Sequence, residues 1–303
     1  MRIKLWGGIG NQLFQYAYLH NYLTIDDELK LEFDTSLVKE SENIIGVLKH
    51  CETSTLSSSS MEEQFKFRRT IMLLARILGK LQLLNFGNLV PVGSKFELHE
   101  REEFLFNQPK IQRVFRSVPI KGFFQNWHYV EIAWPRISKE ILEFLSETKL
   151  EKHIEELISE NYLVLHIRGG DYLKSRMLDT FGQLQTDYYL EAIEFARTLK
   201  FEDLNVIVLT NDIVYARDKM PASIRDSAIF LGSNDCNAWE ALKIMSTADV
   251  VITANSTFSW WGGFICYKLG GLTITPSPWF AGLPSSSDVG LNHPGFNQVK
   301  SGF

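Results

Sequence analysis

The chain has 303 residues, 45% of them apolar and 22% charged, enough to bury one large core or two smaller ones. A net charge of −5 speaks against a nucleic-acid protein, whose phosphate contacts need clustered Lys and Arg. No apolar run approaches the ~20 residues that cross a bilayer, and Met1–Trp6 lacks the basic and long apolar regions of a secretion signal, so the expected compartment is the cytoplasm.

The first predicted strand is Ile3–Trp6. A glycine-rich loop, Gly7–Gln12, follows it, then a helix from Leu13 to Leu23 and a second strand, Leu29–Phe33. This order is an α/β signal. Thr53–Ser60 holds five serines and two threonines and reads as a loop. Glu62–Phe86 has helical periodicity, with Lys66, Arg68, Arg69, Arg76 and Lys80 beside an apolar face. It is either a core-facing helix or an interfacial one, and the second reading implies peripheral contact with the inner face of a membrane. A helical stretch at Arg136–Ile158 leads into the second half, and the domains are drawn as 1–140 and 141–303.

The second half is more regular. Strands are predicted at Tyr162–Ile167, Asn205–Thr210, Val250–Ala254 and Leu272–Thr275. Helices are predicted at Asp187–Lys200, Ala238–Ala248 and Thr257–Leu269. Such alternation implies a parallel sheet covered on both faces.

Three segments carry chemistry. In His166-Ile-Arg-Gly-Gly-Asp-Tyr172, an Arg leaves the end of a buried strand, where open α/β sheets bind ligands. Arg168 can grip a phosphate with paired, charge-assisted hydrogen bonds, and the glycines admit an anion close to backbone N–H groups. The alternative is a strand-end turn with a surface Arg168–Asp171 pair. In Asn255-Ser-Thr-Phe-Ser-Trp-Trp-Gly262, a strand end meets a hydroxyl cluster and a helix start. Ser256 and Thr257 there are either part of an anion site or plain helix caps. Trp260 and Trp261 read as core.

The third segment is the Gly7–Gln12 loop. Gly8 and Gly10 give a partial dinucleotide fingerprint, but Leu13 stands where close helix packing wants a third glycine. A nicotinamide-dependent reading therefore has little support. Asn11 and Gln12 supply amides at the loop mouth. Cys51, Cys236 and Cys266 are odd in number and far apart, which fits reduced structural thiols. No histidine pair has metal-ligand spacing and no Asp-x-Asp occurs, so no metal is expected.

Together these segments resemble the α-1,2-fucosyltransferases of glycosyltransferase family 11, over most of the chain. Gly7–Tyr16 looks like the family's GGxGNQxFQY, Gly122–Gln125 like GYFQ and His166–Tyr172 like HxRRxDY. Asn255–Gly262 looks like NSSFSWWG, and Pro278-Trp-Phe280 like a late PxWF. Two positions depart from the pattern. Gly169 stands in place of the second arginine, and Thr210-Asn-Asp212 in place of Ser-Asp-Asp.

The resemblance implies an α/β fold of GT-B type, two Rossmann-like domains with the donor site in the cleft between them. It implies GDP-fucose as donor, a galactose-containing and possibly lipid-linked acceptor, inversion, and no cofactor or metal. By the same resemblance Arg168 binds the diphosphate, Ser256 or Thr257 the β-phosphate, and Asn255 shares that cluster. Gly8, Gly10, Asn11 and Gln12 close the site from the N-terminal side. By analogy with a related group of fucosyltransferases, Glu240 accepts the two N–H groups of guanine; the alternative is a helix-start carboxylate favoured by the dipole. Asp171 is the first candidate for general base and His166 the second. Two other readings stay open, a transferase for another nucleotide sugar and an inactive carbohydrate-binding relative.

Overall fold

In a computed structural model the chain forms two compact α/β units. The structure describes residues 2–21, 31–34, 44, 47, 54–57, 89–92, 95–99, 120–158, 161–170, 175–199, 204–282 and 290–303. One unit comprises Met1–Phe124 with Ile132–Ile137, and the other Gln125–Glu131 with Ser138–Phe303. Residue 140 falls within a long helix, not at an exposed linker.

The first unit begins with β1 (Arg2–Lys4) and α1 (Ile9–His20), followed by β2 (Leu31–Asp34), β3 (Ser54–Ser57), β4 (Leu89–Val92), β5 (Lys95–His99) and β6 (Ile120–Lys121). These six strands form one sheet in the order β3-β2-β1-β6-β5-β4. All neighbours run parallel except β4, which is antiparallel to β5. β3 corrects the expectation of a loop at residues 53–60. It pairs in register with β2, Phe33 against Leu56. Serine and threonine runs carry no hydrophobic alternation, so the sequence pattern missed a strand that sheet pairing creates.

The second unit opens on the first turns of α2 (Trp127–Glu147) and continues with α3 (Lys152–Leu157) and β7 (Tyr162–Ile167). Next come α4 (Ser175–Phe181), α5 (Thr186–Thr198), β8 (Asn205–Thr210), α6 (Ile213–Lys219), α7 (Ala222–Arg225) and β9 (Ile229–Leu231). The chain ends with α8 (Ala238–Ser246), β10 (Val250–Ile252), α9 (Thr257–Lys268), β11 (Leu272–Ser277) and β12 (Asn297–Lys300). α2 starts nine residues before the expected Arg136. The Asn126 side chain accepts from His128 N–H at 3.0 Å and caps it, and the helix runs through the exposed Pro135. A proline there removes one ladder bond but tolerates helical φ.

The second sheet is fully parallel, in the order β12-β11-β10-β7-β8-β9. Counted from β7, that is the doubly wound order 3-2-1-4-5-6. β7 is buried on both faces. Leu163, Leu165 and Ile167 pack with Tyr188, Ala192 and Val208 in one core. On its other face the Tyr162 hydroxyl donates to the Ile244 carbonyl of α8 at 2.8 Å. The expected α/β architecture of two Rossmann-like units is thus what the chain forms. Among the described residues, no helix is long and apolar enough to cross a membrane. The stretch at residues 62–86, with its five cations, lies outside the described residues, as do Cys51 and Asp171.

Candidate active site

In the second sheet the winding reverses at β7. β8 lies on one side of it and β10 on the other. The chain therefore leaves the carboxyl ends of β7 and β10 in opposite directions and opens a crevice there, the place where doubly wound sheets bind ligands. Two of the three chemistry-bearing segments end on this crevice, residues 166–170 after β7 and residues 253–257 after β10.

Consider β10 first. α9 starts at Thr257 with Ser256 as its flanking residue in extended conformation. Among the described residues, the Ser256 hydroxyl does not cap the helix, although it is buried. The plain capping alternative therefore fails for this serine. Ser259 turns inward and donates to the Ala254 and Ser256 carbonyls, both at 3.2 Å. Asn255 is 3% exposed and its amide N–H groups go to the Phe181 carbonyl at 2.7 Å and the Trp279 carbonyl at 3.3 Å. It is a tether that fixes the strand end against α4, and its donors are not offered to a ligand. Trp260 and Trp261 are fully buried, as expected of core residues, and the Trp260 indole N–H donates to the Leu291 carbonyl.

At the end of β7, Arg168 is half-buried and lines a cavity with Gln183, Tyr189, Tyr215 and Asn255. The turn that follows corrects one expectation. Gly169 N–H donates to Asn211 Oδ1 at 2.9 Å, and Asn211 Nδ2 donates back to the Gly169 carbonyl at 3.3 Å. The N–H of Gly169 is thereby committed within the protein and is not an anion ligand. Gly170 takes φ +60°, and a Cβ there would lie 2.7 Å from Asn211 Nδ2. The two glycines thus serve a tight turn clipped by Asn211. The rest of residues 210–212 supports that clip. Asp212 N–H donates to Thr210 Oγ1 at 3.0 Å, and the Asp212 carboxylate caps α6 by accepting from Tyr215 N–H at 3.1 Å.

His166 is 4% exposed, with its ring 5.7 Å from the Phe258 ring of α9. Burial, then the nearby Arg168 charge, pushes its imidazole down to about 3. A ring so reluctant to accept a proton is a poor general base at neutral pH, which speaks against His166 in that role. Its Nδ1 has no hydrogen-bond partner among the described residues. Asp171, the first base candidate, lies outside the described residues.

Glu240 has a structural role of its own. It is the third residue of α8, and its Oε2 accepts from Asn237 N–H at 2.6 Å while Asn237 Oδ1 accepts from the N–H groups of Trp239 and Glu240. This reciprocal capping box accounts for its position without a ligand.

The first unit presents its own pair of loops at the carboxyl ends of β1 and β6. Gly7 takes φ +79°, and a Cβ there would stand 2.8 Å from Asn11 Nδ2. Gly8 is exposed with open space around it, whereas Gly10 is buried in the first turn of α1. Gln12 is fully buried. Its Nε2 donates to the Gly7 carbonyl at 2.7 Å and its Oε1 accepts from Ile44 N–H at 3.2 Å. It holds the loop's shape and is not at the loop mouth. Gln15, which sequence reasoning passed over, does the same between strands. It accepts from Trp6 N–H at 3.1 Å and donates to the Gly122 carbonyl at 3.0 Å, joining the two loops. Trp6 stacks on Phe123 at 4.1 Å beside it.

A second cluster that sequence reasoning missed ties α2 to α9. Glu131 accepts from Lys268 and from His293 Nε2, both at 2.7 Å, and His293 Nδ1 accepts from Gly295 N–H at 3.0 Å. Burial opposes the Glu131 charge, but those two donors hold its carboxyl below the usual range. Cys236 and Cys266 are buried thiols, pushed up to about 11 and about 12, mainly by burial. Among the described residues, no three His, Cys, Asp or Glu side chains gather to hold a metal.

Comparison with known proteins finds relatives over most of the chain. An Escherichia coli alpha-1,2-colitosyltransferase is 27% identical over 91% of this chain and 91% of its own. The Escherichia coli O-antigen biosynthesis glycosyltransferase WbnK is 24% identical over 92% of this chain and 94% of its own. Among solved structures, POFUT1 in complex with GDP aligns with TM-score 0.46 and 12% identity over 90% of this chain and 97% of that one. The profile of glycosyl transferase family 11 matches residues 1–281. The chain belongs to glycosyl transferase family 11.

Proposed function

We propose that the protein transfers L-fucose from GDP-fucose to the 2-OH of a galactose in an oligosaccharide acceptor of O-antigen or surface-glycan synthesis, with inversion and without a metal. The observation that carries this reading is the convergence of Arg168 with Ala254 and Asn255 on one cavity at the ends of β7 and β10, just before α9, whose flanking Ser256 makes no side-chain capping bond. Arg168 and the first N–H groups of α9 are the ligands expected for a diphosphate. The chemistry asks for nothing more at that end. As the anomeric carbon takes on oxocarbenium character, negative charge grows on the departing diphosphate. A fixed guanidinium and oriented helix N–H groups offset it without reorganising. The acceptor oxygen forms its bond to fucose from the opposite face, the bond to the β-phosphate oxygen breaks, and Asp171 takes the acceptor proton in this reading.

The relatives' names support the coarser half of the proposal. One is called an O-antigen glycosyltransferase, and the linkage in the other's name is alpha-1,2. That second name also favours another reading, in which the donor carries colitose in place of fucose. We place the reaction in the cytoplasm, at the inner face of the membrane, where lipid-linked acceptors are found. The deciding experiment offers GDP-fucose and a colitosyl donor to a panel of galactose-terminated acceptors, with products read by mass and linkage analysis. The expected result is one fucose added at the galactose 2-OH, with GDP released. Turnover of the colitosyl donor alone would transfer the assignment to the second reading. Release of nucleotide with neither donor would sink both readings and leave a transferase for another nucleotide sugar or an inactive carbohydrate-binding relative.

A further inference from the structure

The cavity beside Arg168 contains a tyrosine that neither the family assignment nor the proposed reaction uses. Tyr215 projects from α6 toward the turn after β7. Its ring lies over Gly169, where an added Cβ would be 2.8 Å from Tyr215 Cδ1 and 3.0 Å from Asp212 Cβ. No side chain fits at position 169 while the ring holds that place. At the other end of the ring, Gln183 Nε2 donates to the Tyr215 hydroxyl at 2.6 Å. Both residues line the cavity together with Arg168. A phenol oxygen that already accepts from an amide keeps its own hydrogen for a second acceptor. Burial, assisted by Asp212 and opposed by the Gln183 bond, pushes the phenol up, so the hydroxyl stays protonated. The described lining carries a guanidinium and this directed O–H, and no carboxylate. A ligand group made only of acceptors complements it, and phosphate oxygens are such a group.

We propose that Tyr215 is a second donor to the ligand's diphosphate beside Arg168, aimed by Gln183, and that position 169 is glycine because the Tyr215 ring occupies the space a side chain there would need. The inference deepens the reading of this crevice as a nucleotide-sugar site and rests on it. It also accounts for the turn itself. Gly169 has neither a side chain nor a spare N–H to give, so the additional donor comes from α6.

The test is calorimetric titration of the full-length protein with GDP, guanosine and inorganic pyrophosphate. Tyr215→Phe keeps the ring and removes only the hydroxyl. It should weaken GDP and pyrophosphate binding roughly tenfold and leave guanosine unchanged. Gln183→Ala should give a smaller loss of the same kind. Gly169→Ala, which forces a Cβ against the ring, should weaken GDP binding, and adding Tyr215→Phe should deepen that loss by much less than tenfold. Unchanged GDP and pyrophosphate affinity in Tyr215→Phe would overturn the inference alone. So would a loss shared equally by guanosine, which marks a structural role. A wild-type protein that binds neither GDP nor pyrophosphate would overturn the nucleotide-sugar reading and this inference with it.

Discussion

Arg168 directly follows β7, two residues after His166, and its charge bears on the state of that imidazole. The guanidinium adds to the burial that keeps the imidazole neutral, so these two residues together bring one positive charge to the strand end where a protonated histidine would have made two. A neutral His166 has a price in acid. The unfolded chain binds a proton at this residue below about pH 6.5, whereas the folded protein refuses it until about pH 3. The residue therefore favours the fold fully above pH 6.5, and that contribution drains away as pH falls through the window. Between pH 7 and pH 5 the loss is about 2 kcal/mol. His20 in α1, pushed down to about 3 by burial and then by Arg136, adds a parallel loss in the first unit. His166→Gln should remove only its own share. Guanidinium denaturation at the two pH values should show the variant losing about 2 kcal/mol less than wild type. Equal losses in the two proteins would mean that His166 carries its proton in the fold.

At the scale of elements, α8 offers a test of what its first carboxylate is for. If Glu240 serves the capping box, Asn237→Ala should cost about 1 kcal/mol of stability, and Glu240→Gln should cost little because glutamine completes the same box. GDP affinity in Glu240→Gln should stay within about twofold of wild type; a loss above tenfold would return Glu240 to the base-reading role. The same scale shows what could be read from the sequence. β7 and β8 were legible to the residue because each is built on a run of four apolar residues between polar turns. α1 begins four residues before the expected Leu13, since its first turn holds Gly10 and Asn11, which read as loop. The edge strands β9 and β12 and the pairing of β4 with β5 left no pattern strong enough to find. The motifs at residues 166–170 and 253–257 were legible as a candidate site, because a polar cluster after a buried run stands out wherever it occurs. The partners of their side chains were not. Asn211 meets Gly169 across 42 residues and Gln15 meets Gly122 across 107, and such pairings are fixed by sheet order, not by local spacing.

At the scale of the molecule, the family match ends at residue 281, yet the second unit's structure does not. β12 lies parallel to β11 and closes that edge of the sheet, with Ile274 opposite Asn297 and Ser277 opposite Lys300. The segment before it puts Leu291, His293 and Phe296 into the interior. His293 lies within an aromatic group formed by Trp260, Phe264, Tyr267 and Phe296, and it donates to Glu131 at the start of α2. α9, whose first turn faces the crevice, is therefore held at its far end by residues outside the matched region. Lys268, its last residue, shares the same glutamate at 2.7 Å. Truncating Phe296 tests this dependence, because it opens a cavity against Trp260 without touching the crevice. Phe296→Ala should cost about 3 kcal/mol, which for a unit of this size lowers Tm by roughly 10 °C. A fall of under about 3 °C in differential scanning calorimetry would show that the C-terminal segment packs on the unit without supporting it. GDP affinity measured well below the transition should stay near wild type, because the substitution weakens the anchor of α9 and leaves its first turn intact.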